Sequence, residues 1–133
     1  MLLGGMGVQT SALASGGDDG GGGGSGVVSV ESWNGSAWTE VNNIGTARYG
    51  GASAGSQSDA LYSSGSTGSG VLSQVEAWNG TSWTEVAEVA TAVRKTCGAG
   101  TATAAIKMGG QPNTTSTEEW TVPEFVTKTF TVS

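Results

Sequence analysis

The carboxylates that could do chemistry fall into two sets. Asp18 and Asp19 stand together in "GGDDGGGGGSG", residues 16 to 26, and acids in a flexible segment offer the oxygen ligands that hard cations such as calcium take up. Two adjacent acids without further spaced ligands are weak grounds for a site, and a solvated turn accounts for them. Glu31 and Glu76 form the other set. A glycosidase needs two carboxylates in one cleft, but these two occupy equivalent places in two copies of one segment, so repetition is the better explanation. The sequence has no His. That removes the usual general base near neutral pH, the Ser-His-acid arrangement and the commonest transition-metal ligand. The glycines at 20 to 24 lack the Lys-Ser or Lys-Thr and the helix of a phosphate loop. The reading is a non-enzymatic protein with no cofactor and no metal.

The aromatic rings are the other chemical resource. Trp33, Trp38, Trp78, Trp83 and Trp120 could stack on sugar rings, but their recurrence at fixed places favours packing in a core. Cys97 is the single cysteine, so no bridge forms within the chain, and it is expected to be a small buried filler. Asn34-Gly35-Ser36, Asn79-Gly80-Thr81 and Asn113-Thr114-Thr115 fit the N-glycosylation pattern. In the first two, a turn already explains the Asn.

These residues must be positioned by strands. The chain has 133 residues, enough for one domain, with 24 Gly, 12% charged residues and a formal charge of −6. Short Thr-, Val- and Trp-containing segments punctuated by Gly predict an all-β protein. The run at 16 to 26 is expected to be a mobile loop. Five basic residues, Arg48, Arg94, Lys95, Lys107 and Lys128, form no cluster beyond one Arg-Lys pair, which argues against nucleic acid and anionic membrane surfaces as partners. No apolar run approaches the roughly 20 residues that span a bilayer, so no membrane insertion is expected, and the Gly-rich start without basic residues is unlike a signal peptide.

The order comes from a repeat. "VESWNGSAWTEV" at 30 to 41 returns as "VEAWNGTSWTEV" at 75 to 86, an offset of 45 that continues through Thr46-Ala47 with Thr91-Ala92 and Ala60-Leu61 with Ala105-Ile106. Upstream, "GVQTSALASGG" at 7 to 17 aligns with "GSQSDALYSSG" at 55 to 65 and "GTATAAIKMGG" at 100 to 110. A period of this length is a supersecondary unit. Three units follow: 1–46 with the glycine loop 16–26, 47–91, and 92–133 with a terminal strand segment at 122–133. In the middle unit the pattern predicts strands near 50–55, 57–63, 71–78 and 82–86. Asn34-Gly35 and Asn79-Gly80 read as tight hairpin turns in which both residues tolerate positive φ.

The unit as a whole, an Ala-Leu strand ending in a glycine doublet, a variable loop, Val-Glu-x-Trp, Asn-Gly, a second Trp and Thr-Ala-Arg, resembles the kelch repeat. Gly16-Gly17, Trp33 and Trp38 match in the first unit. Ser64-Gly65, Trp78 and Trp83 match in the second, and Gly109-Gly110 and Trp120 in the third. Ser64 replaces a doublet glycine, the third unit lacks the second Trp, and Val93 stands where Arg48 would recur, with Arg94 one place later. The resemblance implies about three four-stranded β-propeller blades of about 45 residues. Such propellers usually have six or seven blades, so three imply an open half-ring, a piece of a longer chain, or a ring completed by another chain. Two copies supply six. The tail at 122–133 is expected either to complete the third blade or to extend into a neighbour. Galactose oxidases share the blade, but their copper ligands include His, which this chain lacks.

A second resemblance is to virion structural and tail-appendage proteins of marine bacteriophages, cyanophages included. It rests on the wording "WNGTSWTEV" and the ending "TKTFTVS". It implies assembly in a virion or fibre as a homo-oligomer or with other virion proteins, with loops that could contact a host glycan. The alternative is a carbohydrate-binding module of a bacterial surface or extracellular filament protein.

Overall fold

A computed structural model describes residues 3–21, 24–112 and 115–121, and the backbone of 124–128. It consists of three antiparallel four-stranded sheets, each an up-and-down meander in chain order. The first holds β1 (Gly4–Val8), β2 (Ser11–Ser15), β3 (Val30–Trp33) and β4 (Trp38–Val41). The second holds β5 (Ala52–Gly55), β6 (Ala60–Ser63), β7 (Val75–Trp78) and β8 (Trp83–Val86). The third holds β9 (Cys97–Gly100), β10 (Ala104–Met108), β11 (Thr117–Thr121) and β12 (Glu124–Lys128).

The strands of the middle unit are shorter than the sequence pattern predicts. Residues 56–59 close a loop through Ser56 N–H donating to Asp59 O at 2.8 Å. Val71 and Leu72 leave the sheet and bridge singly to Ser66 and Val93. Of the tail, Glu124–Lys128 pairs along β11 with Trp120 opposite Phe125 and forms the fourth strand of the third sheet. Residues 129–133 and Asn113-Thr114 of the third glycosylation pattern lie outside the described residues.

Each sheet has two faces, and neighbouring sheets bury them against each other. The trailing face of the first sheet (Met6, Leu13, Val30) meets the leading face of the second (Ala60, Tyr62, Trp78), with Ile44 of the connecting segment sealing the layer. The trailing face of the second (Ala54, Leu61, Val75) meets Ala105 and Trp120 of the third, with Val89 in the place of Ile44. This is why β6 reads Ala-Leu-Tyr-Ser without a polar face: all four residues are buried between two sheets.

The innermost strands are rich in small residues. Ser53 Oγ on β5 donates to Gly5 O on β1 at 2.8 Å. A Cβ on Gly98 of β9 would stand 2.7 Å from Ser53 O and 3.0 Å from the Ala52 Cβ. Only glycine allows that approach.

The outer hairpins differ from the expectation in detail. Trp33 pairs with Trp38, and Trp78 with Trp83, across four-residue loops. Only Gly35 (φ 93°) and Gly80 (φ 94°) adopt positive φ there. Asn34 and Asn79 act instead as acceptors: Asn34 Oδ1 takes the N–H groups of Ser36 and Ala37, and Asn79 Oδ1 those of Thr81 and Ser82, all at 2.9 Å. Their side chains mimic a backbone turn, which is the asparagine's reason for being there.

The doublets share one backbone form, φ 63° then 123° at Gly16-Gly17 and 62° then 125° at Gly109-Gly110. Ser64 adopts φ 63° at the matching place, at a cost of order 1 kcal/mol for a residue with a Cβ. The glycine run is tied at its base by the Asp18–Gly26 bridge and by Asp19 N–H donating to Ser25 O.

Trp78 and Trp120 are buried, whereas Trp33 and Trp83 are half-buried and Trp38 is 50% exposed. The expectation of a uniform tryptophan core is therefore corrected: Trp33 and Trp38 stand on the first sheet's leading side, which no other part of the described chain covers. Cys97 is also corrected. It is exposed, because it begins β9 on the trailing side of the last sheet.

The burial contrast makes a stability prediction. Trp78→Ala is expected to cost about 3–5 kcal/mol, the range for a large buried aromatic. Trp38→Ala removes only a tilted ring contact with Trp33, 5.4 Å between centroids, and is expected to cost under about 1.5 kcal/mol. Urea unfolding of both variants checks this, and equal losses would contradict the assignment.

Candidate functional site

The buried charge sits at the two sheet junctions. Glu76 on β7 accepts the N–H groups of Gly45 and Thr46, the latter at 3.3 Å, from the segment that links the first two sheets. Its Oε2 also lies 2.6 Å from Arg48 Nη2, with both side chains essentially excluded from solvent. Arg48 is held further by the carbonyls of Thr46, Ser64 and Gln74, at 3.2, 3.2 and 2.9 Å, and its guanidinium lies 5.7 Å from the Tyr62 ring centroid. Burial pulls the guanidinium below its ordinary pKa, against the opposing pull of Glu76. Burial also raises the Tyr62 phenol above its ordinary value.

The second junction repeats the carboxylate and moves the cation. Glu118, the counterpart of Glu76, accepts the N–H groups of Ala90 and Thr91. Val93 replaces Arg48, and the charge comes instead from Lys107 on β10, at the place of Tyr62. Lys107 Nζ lies 2.7 Å from Glu118 Oε2 and donates to Thr91 O at 3.2 Å. One junction uses Arg and Tyr where the other uses Val and Lys, so each keeps one cation for its buried carboxylate. An unpaired buried charge would cost several kcal/mol.

In the first sheet the same carboxylate is Glu31, which is exposed, with Ala14 at the Tyr62 and Lys107 position. Among the described residues nothing pairs with it. The two glutamates singled out in the sequence, Glu31 and Glu76, are thus in separate sheets and do not share a cleft. Sequence reasoning missed Lys107 and Glu118. Aligning Glu31, Glu76 and Glu118 on the Trp that follows two places later, then looking for a cation at 48/93 and 62/107, would have found them.

The tryptophans at 33, 78 and 120 share a second repeated contact. Each indole N–H donates to a carbonyl in the loop between the first two strands of its own sheet: Gln9 at 2.9 Å, Gln57 at 2.8 Å and Ala102 at 2.9 Å. Asp18 and Asp19 accept from Gly20 and Gly21 N–H at 2.9 and 3.0 Å, an arrangement of local turns. No group of three or more metal-ligating side chains occurs among the described residues.

The open leading face of the first sheet carries a largely apolar concave surface. This cleft of about 660 Å³ is lined by Leu3, Val8, Gln9, Glu31, Trp33 and Trp38 among others. Leu3 and Val8, like Trp38, are large apolar side chains left in solvent.

Two predictions follow from the junctions. Glu76→Leu leaves Arg48 buried without its partner and is expected to cost about 3–5 kcal/mol. Arg48→Met combined with it is expected to recover part of that loss. The Gly45 and Thr46 N–H groups stay unmet, so the recovery is incomplete. A double-mutant cycle by urea unfolding measures the coupling, and strictly additive losses would contradict a shared unit.

For Tyr62, the folded state holds the phenol protonated to higher pH than the unfolded chain does. Its contribution is intact below the ordinary value of 10.0 and is lost as pH rises above it. Stability is therefore expected to fall above pH 10, less steeply in Tyr62→Phe. Identical pH profiles would contradict the role given to burial.

No family model matches the sequence, and no curated protein matches it. Its fold does match. The solved structure of YjhT, a kelch-repeat β-propeller protein, superposes with a TM-score of 0.74 at 11% sequence identity. The match covers 95% of this chain and 44% of YjhT, so the chain spans less than half the length of that protein. At this identity the likeness establishes architecture alone: the chain folds as kelch-like β-propeller blades, in number a part of a propeller.

Proposed function

We propose that the chain is a non-enzymatic structural and adhesion protein, a set of kelch-like blades that serves as a scaffold in a larger assembly, with a phage virion or fibre as its setting. The observation that carries this reading is the use of the buried charge. Glu76, Arg48, Glu118 and Lys107 are all engaged in joining one sheet to the next. With no His in the sequence, these are the groups a hydrolytic site would otherwise draw on. The virion setting rests on the likeness of the repeat wording to phage structural proteins. Peptide mass spectrometry of gradient-purified virions tests it, and recovery of the chain from host cell envelopes instead would overturn it.

A second reading is favoured by one observation. Trp38, 50% exposed beside half-buried Trp33 in an open cleft, has the form of an aromatic platform for a sugar ring. On that reading the chain is a carbohydrate-binding module of a bacterial surface or filament protein. Glycan-array binding that disappears in Trp38→Ala, with folding retained, would favour the module. Absence of glycan binding together with ordered assembly would favour the scaffold.

A further inference from the structure

We infer that the open leading face of the first sheet is a docking surface for the trailing face of the third sheet of a second copy, so that two chains close one ring of six sheets. The inference rests on the scaffold reading and adds the partner and the surfaces. Its basis is the internal repeat, which shows twice within one chain what each of these faces does when covered.

On the leading side, Ala12, Glu31 and Trp33 correspond to Ala60, Glu76 and Trp78 in the second sheet and to Ala105, Glu118 and Trp120 in the third. All six counterparts are buried. In the first sheet, Glu31 is exposed and Ala12 and Trp33 are half-buried. Gly5 shows the same contrast at the inner edge: a Cβ there meets nothing within 4 Å, whereas one on its counterpart Gly98 would collide with β5. The first sheet therefore keeps a glycine suited to close approach by a strand that the described residues of the single chain do not supply.

On the trailing side the asymmetry reverses. Cys97, Ala99 and Met108 are exposed and Ile106 is half-buried. Their counterparts in the second sheet, Ala52, Ala54, Ser63 and Leu61, are all buried against the third. The two ends of one chain are thus the two halves of a junction that already occurs twice inside it.

A polar contact adds register. At the first junction Gln57 reaches across from the second sheet, donating to Ser32 Oγ at 2.6 Å and Trp33 O at 2.8 Å and accepting from Ser11 Oγ at 2.6 Å. The matching residue of the first sheet is again a glutamine, Gln9, exposed at the rim of the cleft. In the closed ring, Gln9 of one copy meets the Trp120 carbonyl of the other, as Gln57 meets Trp33. The count agrees with the architecture: one chain matches 44% of YjhT, so two copies span most of a propeller of that size.

Light scattering of the purified 133-residue chain tests the inference. The expected mass is about twice the 13.1 kDa of one chain, with Cys97 alkylated at least about tenfold more slowly than in urea, because docking covers it. Gly5→Leu, which has space in the single chain, and Ile106→Asp, on the opposite face, are each expected to give a folded monomer with rapid alkylation. Far-UV circular dichroism and Trp fluorescence verify the fold. Mixing the two variants is expected to restore dimers, since one intact leading face then meets one intact trailing face.

A monomeric wild type, a dimer indifferent to both substitutions, an open polymer, or monomer maintained by a bound glycan would overturn the inference. A monomer still incorporated into virions would leave the scaffold reading standing. A two-copy ring that turned over a substrate would sink the scaffold reading and leave the ring.

Discussion

A buried carboxylate one strand in from the outer edge governs how these sheets are joined. Glu76 and Glu118 each accept two backbone N–H groups from the segment that enters their own sheet. Those donors belong to an irregular connection that a sheet ladder cannot satisfy, and a carboxylate is among the few groups able to take both at once. Once the carboxylate is buried it needs a cation. The rest of the junction is arranged around that need, with Arg48 lying against Tyr62 in one case and Lys107, at the place of Tyr62, supplying the cation in the other.

The apolar layers and the polar latch constrain each other. Small residues on β1, β5 and β9 let the inner edges converge, while paired tryptophans thicken the outer hairpins. The first two sheets therefore carry least bulk at the inner strand and most at the outer hairpin. Ile44 and Val89 then seal the layer beneath the same connecting segments that the carboxylates hold. A sheet of this kind cannot cover its own faces, so its stability depends on a neighbour at both sides.

Much of this was legible from residue spacing. The 45-residue offset located the sheets, the doublets at 16–17 and 109–110 marked the end of a recurring strand, and the Asn-Gly pairs marked the outer hairpins. The loop at 34–37 was less legible, since a side-chain acceptor and a two-residue turn leave the same Asn-Gly signature. The Lys107–Glu118 pair escaped because a lysine in "AAIKM" looks like any solvated charge, and only the third dimension brings it to a carboxylate eleven residues on. Cys97 and Trp38 were misjudged for one reason: equivalent positions in a repeat are buried only where a neighbouring sheet exists.

The sequence by itself determined what is local and periodic: strands, turns, the order of three units and the absence of imidazole chemistry. These depend on backbone preference and on spacing along the chain, both of which a sequence states directly. Tertiary structure alone decided which face of each sheet meets which neighbour, which cation serves which glutamate, and which copies of a repeated residue stay in water. Burial and charge pairing belong to contacts between units, and identical segments differ in them as soon as one copy has a neighbour and another does not.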